Sequence, residues 1–386
     1  MEKYRENPLL SPVDGVTLRF AKLSTGITLR YASAGPISGI PCLFMHGWPE
    51  SWYSWRHQLV YFASKGYRVI APDMRGYGRS DSPPNVEAFD CFSIHSDMIS
   101  LLQHLKIPKA VLIGHDWGAA LTWILGMLSP DYFPALVTLS VPHAMRTGTS
   151  ATDPIVALES FYGKGENAKF FYQLYHNERN VGTRDAGPAE AEYEANPRET
   201  IYRIWTDDTV PKDEPMGSKT GLRRDGGMFA HSFLGGRPKR LPRWLSEDDF
   251  DYVVEQYKSS GFRGGVNYYR NISRIWRLTP HLLNRKVRQP AMYLTGENDV
   301  VVKFRPGGTD MQKKRLMGVC ADLRKFTVLR AERGLSAGHW IQQERKDEVN
   351  AEIHEFLRDV ESDFVKAPGA PLFVAPGKLP FPTPRL

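Results

Sequence analysis

Cysteine is scarce in this chain. Only Cys42, Cys91 and Cys320 occur among 386 residues, and they lie far apart in the sequence. This number and spacing provide neither a disulfide framework nor a metal-binding pattern. Few cysteines are typical of proteins from a reducing compartment. We therefore expect a cytoplasmic protein with no disulfide, no bound metal and no organic cofactor.

Long apolar runs are also absent. No segment approaches the roughly 18 apolar residues that a membrane-spanning helix requires. The first residues, MEKYRENPLLSPVDG, are polar and lack the apolar stretch of a secretory signal. We therefore expect neither an integral membrane span nor export.

The excess of positive charge is modest, with 50 basic and 43 acidic residues and a net charge of +7. Short basic clusters occur at 223–224, 237–240 and 313–315, but no aromatic platform or nucleic-acid-binding module accompanies them. The sequence therefore predicts no nucleic-acid partner. It favours a small apolar substrate and leaves a homodimer open.

Short apolar runs alternate with helical segments through the first part of the chain. PCLFMHG, YRVIAPD and AVLIGHD have the composition of buried strands in a mainly parallel sheet. VTLRFAK and ITLRYASAG predict an antiparallel pair, and FSIHSDMISLLQHLKI places its apolar residues on one helical face. Repeated βα units of this kind predict an α/β protein with a doubly wound sheet.

The alternation stops after the strand PALVTLSV and resumes at PAMYLTGEND. We predict a core formed by residues 1–141 and 289–365, interrupted by a helical cap at 142–288. Within this cap, residues 207–241 are too many for a simple connection and predict a lid loop or an insertion. The Pro-rich residues 366–386 are predicted to form a disordered tail.

Two helices are predicted inside the cap. PAEAEYEANPRETIYRIW places Pro188 at a first helical position. SEDDFDYVVEQYKSSG begins with Ser246 and Asp249 in the spacing of a capping box and ends at Gly261.

IGHDWGAA, residues 113–120, joins a predicted strand to a predicted helix through a tight turn. This is the pattern of a nucleophile elbow, which normally presents a serine. Asp116 takes that place here, and a carboxylate is ionised at neutral pH without the help of a base. Attack by a carboxylate on a saturated carbon gives an ester, which water can hydrolyse, whereas attack by serine would give an inert ether. The alternative is that Asp116 only caps the helix that follows.

The elbow template requires an acid and then a histidine later in the chain. Asp299 follows the predicted strand AMYL, and His339 lies in SAGHWIQQE before the last predicted helix. Asp299 would orient His339, which would activate water as a general base. Glu297 is the nearest rival for the acid, and no carboxylate closely follows PALVTLSV.

MHGWPESW, residues 45–52, turns sharply after a predicted strand. The backbone N–H groups of Trp48 and Trp117 could form an oxyanion hole for the ester. His46 and His115 are interpreted as structural, and the sequence does not decide whether the Trp48-Pro49 bond is cis.

Together these segments resemble the soluble epoxide hydrolases of the α/β-hydrolase superfamily. The resemblance covers roughly residues 12–360 and includes HGWPESW, DMRGYGRSDSP, GHDWGAALTW, GFRGGVNYYRN, GEND and GHW. It implies hydrolysis of an epoxide to a vicinal diol through an ester on the aspartate.

The resemblance also implies that two cap tyrosines hold and protonate the epoxide oxygen. Tyr172, in FFYQLYHNE, and Tyr269, in NYYRN, match those positions, with Tyr175 and Tyr268 as weaker candidates. A phenol stays protonated at neutral pH and is a suitable acid. The substrate pocket would be lined by Trp117, Tyr172, Tyr269 and Trp340.

Two other functions remain open. A haloalkane or haloacid dehalogenase could use the same Asp-His-Asp set with the indole of Trp117 as a halide donor, but it would need a second donor where Trp48 stands. A binding protein with little turnover would have no need of the complete triad. The final Pro-Arg-Leu loosely resembles a peroxisomal signal and gives an alternative location.

Overall fold

Eight strands form one sheet in the order β1-β2-β4-β3-β5-β6-β7-β8. The computed structural model describes residues 2–143, 152–164, 169–179, 187–206, 227–230, 241–303, 307–332 and 335–369. The strands are β1 (Thr17–Lys22), β2 (Thr28–Ala34), β3 (Pro41–Met45), β4 (Arg68–Pro72), β5 (Val111–His115), β6 (Leu136–Leu139), β7 (Val287–Gly296) and β8 (Cys320–Leu329).

The strand directions confirm the predicted α/β sheet. β1 pairs with β2, and β2 with β4, in antiparallel fashion. All the other neighbours, from β4 to β8, are parallel. Every residue of β5 and β6 is buried, as expected for central strands covered on both faces.

Sixteen helices are described around and above this sheet, and their bounds follow in chain order. They are α1 (Glu2–Glu6), α2 (Arg56–Ser64), α3 (Cys91–His104), α4 (Trp117–Leu128), α5 (Pro154–Tyr162), α6 (Tyr172–Asn177), α7 (Pro188–Ala195), α8 (Pro197–Thr206), α9 (Gly227–Ala230), α10 (Glu247–Ser260), α11 (Arg263–Arg270), α12 (Ile272–Leu278), α13 (Val300–Lys303), α14 (Gly308–Val319), α15 (Ile341–Glu344) and α16 (Lys346–Lys366). Within the described ranges, none of these is long and apolar enough to cross a membrane.

Helices α5 to α12 lie between β6 and β7, and no sheet strand occurs among the described residues of that segment. α10 has the predicted capping box of Ser246 and Asp249 and ends at Gly261, whose φ is 66°. β7 begins at Val287, two residues before the predicted return of the core. Residues 207–226 and 231–240 of the predicted loop, and residues 370–386 of the predicted tail, lie outside the described residues.

The single helix predicted from Pro188 is wrong, because the structure has two helices there, α7 and α8. Asn196 lies between the two helices and has a non-helical φ of −150°. Its side-chain oxygen accepts a hydrogen bond from Glu199 N at 3.1 Å and so caps the second helix. Pro197 then takes the first helical position, where its missing N–H costs nothing.

Helix α11 sits directly on the loop that follows β4. A Cβ atom on Gly264 would lie 2.2 Å from the carbonyl oxygen of Gly76, so only glycine allows this approach. Tyr268 Oη donates to Arg75 O at 3.0 Å on the same loop. These contacts fix the helix that carries Tyr269 over the carboxyl ends of the strands, where ligands bind in open α/β sheets.

Candidate active site

Asp116 occupies a strained turn between β5 and α4. Its φ is 50° and its ψ is −117°, a conformation that a non-glycine residue rarely adopts. The side chain makes no capping hydrogen bond to α4. Instead, Asp116 Oδ1 accepts a hydrogen bond from the backbone N–H of Trp48 at 2.8 Å. The geometry therefore disfavours the alternative in which this carboxylate only caps the helix.

The start of α4 packs against the neighbouring strand at very short range. A Cβ atom on Gly118 would lie 2.0 Å from Met45 O. The second glycine of GHDWG is therefore needed for the helix to begin beside β3, which brings Asp116 under the loop that contains Trp48.

His339 lies between β8 and α15 and faces two carboxylates. Its Nδ1 is 3.0 Å from Asp299 Oδ1, and its Nε2 is 3.7 Å from Asp116 Oδ2. Asp299 is fully buried, whereas Glu297 is exposed and accepts a hydrogen bond from Ala331 N at 2.9 Å. The structure thus brings together the three residues in the predicted order and places Asp299, not Glu297, at the imidazole.

The two carboxylates control the charge of the imidazole. Burial acts to lower the pKa of His339, but the negative charges of Asp299 and Asp116 outweigh it and raise that pKa well above 6.5. Burial likewise acts to raise the pKa of Asp299, but the charge and hydrogen bond of His339 lower it on balance. The two carboxylates on either side of the imidazole therefore favour its protonated form.

The loop 46–50 is braced by Glu50, a residue that the sequence analysis missed. Its carboxylate accepts from Gly47 N and pairs with His115 Nδ1, each at 2.7 Å, and accepts from Gln342 Nε2 at 2.7 Å. His115 Nε2 in turn lies 2.7 Å from His339 O. Burial acts to raise the pKa of Glu50, but the adjacent histidine brings it down to about 2.

These hydrogen bonds connect loop 46–50, strand β5 and the segment that contains His339. His115 has the structural position that the sequence predicted for it. His46 does too, since its Nε2 accepts from Met74 N at 3.0 Å.

The Trp48-Pro49 peptide bond is cis, which answers the question left open by the sequence. A single acidic residue in the apolar stretch MHGWPESW was the available signal for Glu50.

Tyr172 and Tyr269 face each other across the site. Their ring centroids are 5.7 Å apart, and the Tyr269 ring lies edge-on to Trp117 at 5.1 Å. Burial, and then the negative charge of Asp116, raise the pKa of Tyr269 well above 10. This phenol therefore remains protonated throughout the physiological range.

The rival tyrosines are engaged elsewhere. Tyr268 donates to Arg75 O at 3.0 Å, and Tyr175 donates to Glu192 Oε2 at 2.8 Å. Both hydroxyls are therefore engaged by groups other than Asp116.

Further side chains enclose the site. The Trp340 ring lies 4.8 Å from that of His339, and the buried His176 ring lies 4.4 Å from that of Tyr269. Ser140 Oγ is 2.9 Å from His339 Nδ1. The sequence analysis missed His176 and Ser140. No cluster of His, Cys, Asp or Glu side chains within the described ranges is arranged to hold a metal.

Comparison with known proteins extends the similarity over most of the chain. A family model for the α/β hydrolase fold matches residues 40–163. Epoxide hydrolase A of Mycobacterium tuberculosis is 34% identical over 88% of this chain and 96% of its own length. Epoxide hydrolase 2 of Siraitia grosvenorii is 34% identical over 87% of this chain and 96% of its own length.

A solved structure agrees with these sequence matches. The crystal structure of epoxide hydrolase A from Mycobacterium thermoresistibile superimposes with a TM-score of 0.77 at 35% identity. The superposition covers 89% of this chain and 98% of the chain from Mycobacterium thermoresistibile.

Proposed function

The chain belongs to the epoxide hydrolases of the α/β-hydrolase fold, and from this premise we propose that it opens its substrate through an ester on Asp116. The carboxylate attacks the less hindered ring carbon, the carbon–oxygen bond breaks, and the epoxide oxygen takes a proton from a tyrosine. A water molecule then gives one proton to His339 as its oxygen attacks the ester carbonyl. The departing alkoxide takes this proton from His339 and leaves as the diol, while the second proton of the water restores the tyrosine and Asp116 is regenerated as a carboxylate.

One observation supports this mechanism most directly. The Asp116 carboxylate lies on a strained turn, and its Oδ2 is 3.7 Å from His339 Nε2. Trp48 N–H holds Oδ1, so the other oxygen is the one available for attack. When water adds to the ester, the held oxygen takes up the developing negative charge. We propose that the N–H groups of Trp48 and Trp117 stabilise this oxyanion, a role that the bond from Trp48 N to Oδ1 supports for the first of them.

Ring opening also develops negative charge, on the epoxide oxygen. We propose that Tyr269 and Tyr172 donate to it, because the Tyr269 ring lies 5.1 Å from that of Trp117 and the Tyr172 ring lies 5.7 Å from that of Tyr269. The raised pKa of Tyr269 makes this group a hydrogen-bond donor that releases its proton only to a strongly basic alkoxide.

Tyr269→Phe is expected to lower kcat/KM by about 10²-fold, because one donor to the developing alkoxide is lost. Tyr172→Phe should have a smaller effect in the same direction, since the more buried donor remains. Steady-state kinetics with an aryl epoxide measure both. Tyr268→Phe is the matched control, because its hydroxyl bonds Arg75 O and not the site. Equal losses in the Tyr268 and Tyr269 variants would contradict the assignment.

We further propose that residues 142–288 act as a cap over a core formed by residues 1–141 and 289–365. The cap would supply an apolar pocket for the epoxide, lined by Trp117, Tyr172, Tyr269 and Trp340. The cytoplasmic location and the homodimer stay predictions.

Product analysis tests the function directly. The purified wild-type protein is incubated with a panel of aryl and alkyl epoxides and, in parallel, with a panel of 1-haloalkanes. We expect diol from at least one epoxide and no halide release. Halide without diol would replace the proposal by dehalogenation, with Trp117 as a halide donor. Turnover of neither panel would favour a binding protein.

A further inference from the structure

Ser140 directly follows β6, at the same edge of the sheet as Asp116 and Asp299. Four non-glycine residues among those described have a positive φ: Lys106, Asp116, Ser140 and Asn284. Only Asp116 and Ser140 of this set are buried, and both lie at His339. A φ of 71° favours glycine, so a fully buried serine in this conformation points to a use for its hydroxyl.

The hydroxyl lies at the nitrogen that Asp299 also contacts. Ser140 Oγ is 2.9 Å from His339 Nδ1, and Asp299 Oδ1 is 3.0 Å from the same atom. Nδ1 must carry a proton when Nε2 acts as the base, so Ser140 Oγ accepts from it. The hydrogen of the hydroxyl is then free to turn toward the Asp299 carboxylate, whose pKa Ser140 helps to lower. Ser140 and Asp299 thus converge on the same nitrogen of His339.

The backbone at this position does not depend on the side chain. Ser140 N donates to Leu294 O at 2.9 Å, and Ser140 O accepts from Tyr293 Oη at 2.8 Å. Both bonds would persist with glycine, which adopts the same φ without strain. The fold therefore accounts for the turn but not for the hydroxyl.

We propose that Ser140 is a positioning residue that holds the His339 imidazole with Nδ1 protonated and Nε2 directed at the ester on Asp116. One contact from Asp299 leaves the ring free to tilt about that bond, whereas two acceptors on one N–H fix its plane. The inference rests on the proposed function, since it concerns the step that hydrolyses the ester.

Ser140→Gly separates positioning from folding. Because hydrolysis of the ester is slowed, kcat should fall about tenfold. The ratio kcat/KM, which reports formation of the ester, should stay within about twofold of the wild-type value. The ester on Asp116 should accumulate in the steady state, as measured by mass spectrometry of the quenched enzyme. The melting temperature should stay equal or rise, because the left-handed strain is relieved.

Two further variants complete the design. Ser140→Thr keeps the hydroxyl but adds a methyl group at a buried, left-handed position, so we expect a lower melting temperature with kcat retained. Thr138→Val removes a buried hydroxyl within β6, which donates to Met292 O at 3.1 Å and not to His339. It should lose stability and keep both kinetic constants. If Ser140→Thr does not fold, Ser140→Ala takes its place as a second hydroxyl deletion and should reproduce the kinetics of Ser140→Gly.

The inference is overturned if Ser140→Gly retains the wild-type kcat, or if kcat and kcat/KM fall together. If the wild type makes diol, either result contradicts only the positioning role of Ser140 and leaves the proposed function standing. If the wild type makes no diol from any epoxide, the proposed function itself has failed, and the two failures are thereby distinguished.

Discussion

Asp116→Ala should abolish diol formation, with kcat reduced by at least about 10⁴-fold. The variant loses the only carboxylate oxygen that the described site presents to a substrate. Asp299 is fully buried behind His339, and Glu50 is fully buried and engaged by its three partners. Neither can replace the nucleophile. Diol is quantified by chromatography under conditions in which uncatalysed hydrolysis is subtracted.

Loss of folding must be excluded as the cause. Alanine keeps the unfavourable φ of 50° but removes the hydrogen bond from Trp48 N, so we expect a modest fall in melting temperature and an unchanged circular dichroism spectrum. The substrate epoxide should still bind, and a bound epoxide that is not turned over protects the variant against thermal unfolding. Retention of more than about one hundredth of the wild-type kcat would exclude Asp116 as the nucleophile.

The order of strands and helices was predictable because its signals are local. Apolar runs such as AVLIGHD are long enough for a strand and end in polar residues at the site. α10 carries both of its boundaries in the sequence, with Ser246 at one end and Gly261 at the other. The positions of Asp116, Asp299 and His339 could also be predicted from local patterns, since each lies in the segment that follows a strand-like apolar run.

Contacts between distant residues were not predictable in this way. Glu50 and Gln342 are 292 positions apart, and Ser140 and His339 are 199 positions apart. No pattern in either segment reveals its partner, so the bracing of the loop and the second contact to the imidazole became visible only in the fold. The break between α7 and α8 was missed because the helical pattern continues across Asn196 and Pro197.

The choice between adjacent tyrosines shows the same limit. Tyr268 and Tyr269 are neighbours in NYYRN and differ by about 100° around a helix. The resemblance favoured Tyr269, but composition and spacing do not distinguish the two. Both rings lie edge-on to Trp117, but the structure distinguishes the two residues by their other contacts. Tyr268 Oη donates to Arg75 O, whereas the Tyr269 ring meets that of Tyr172.

The charge of Asp116 links the two chemical steps. In the resting site this charge helps to raise the pKa of His339 well above 6.5, which favours the protonated imidazole, a form that cannot act as a base. Formation of the ester removes the charge while Asp299 remains ionised. The pKa of His339 should then fall, so the base becomes competent at the stage at which it is needed.

His339→Gln should trap the ester. Attack by Asp116 needs no base, so the variant should react once with an epoxide and then hydrolyse the product about 10³-fold more slowly than the wild type. Mass spectrometry of the intact protein should show an addition equal to the mass of the epoxide, and proteolysis should place it on the peptide that contains Asp116. Asp116→Ala treated in the same way is the control and should show no addition.

The wild type should show the matching pH dependence. Because the base must be neutral, decay of the ester in a single turnover should slow as pH falls through the pKa of His339 in the intermediate. That midpoint should lie below the pKa of His339 in the free enzyme, which NMR of the imidazole measures once the His339→Gln spectrum has assigned the resonance. A midpoint equal to that of the free enzyme would contradict the coupling to Asp116. An unmodified His339→Gln protein after exposure to a substrate of the wild type would contradict the ester mechanism itself, since slow hydrolysis can only prolong the lifetime of an ester that forms.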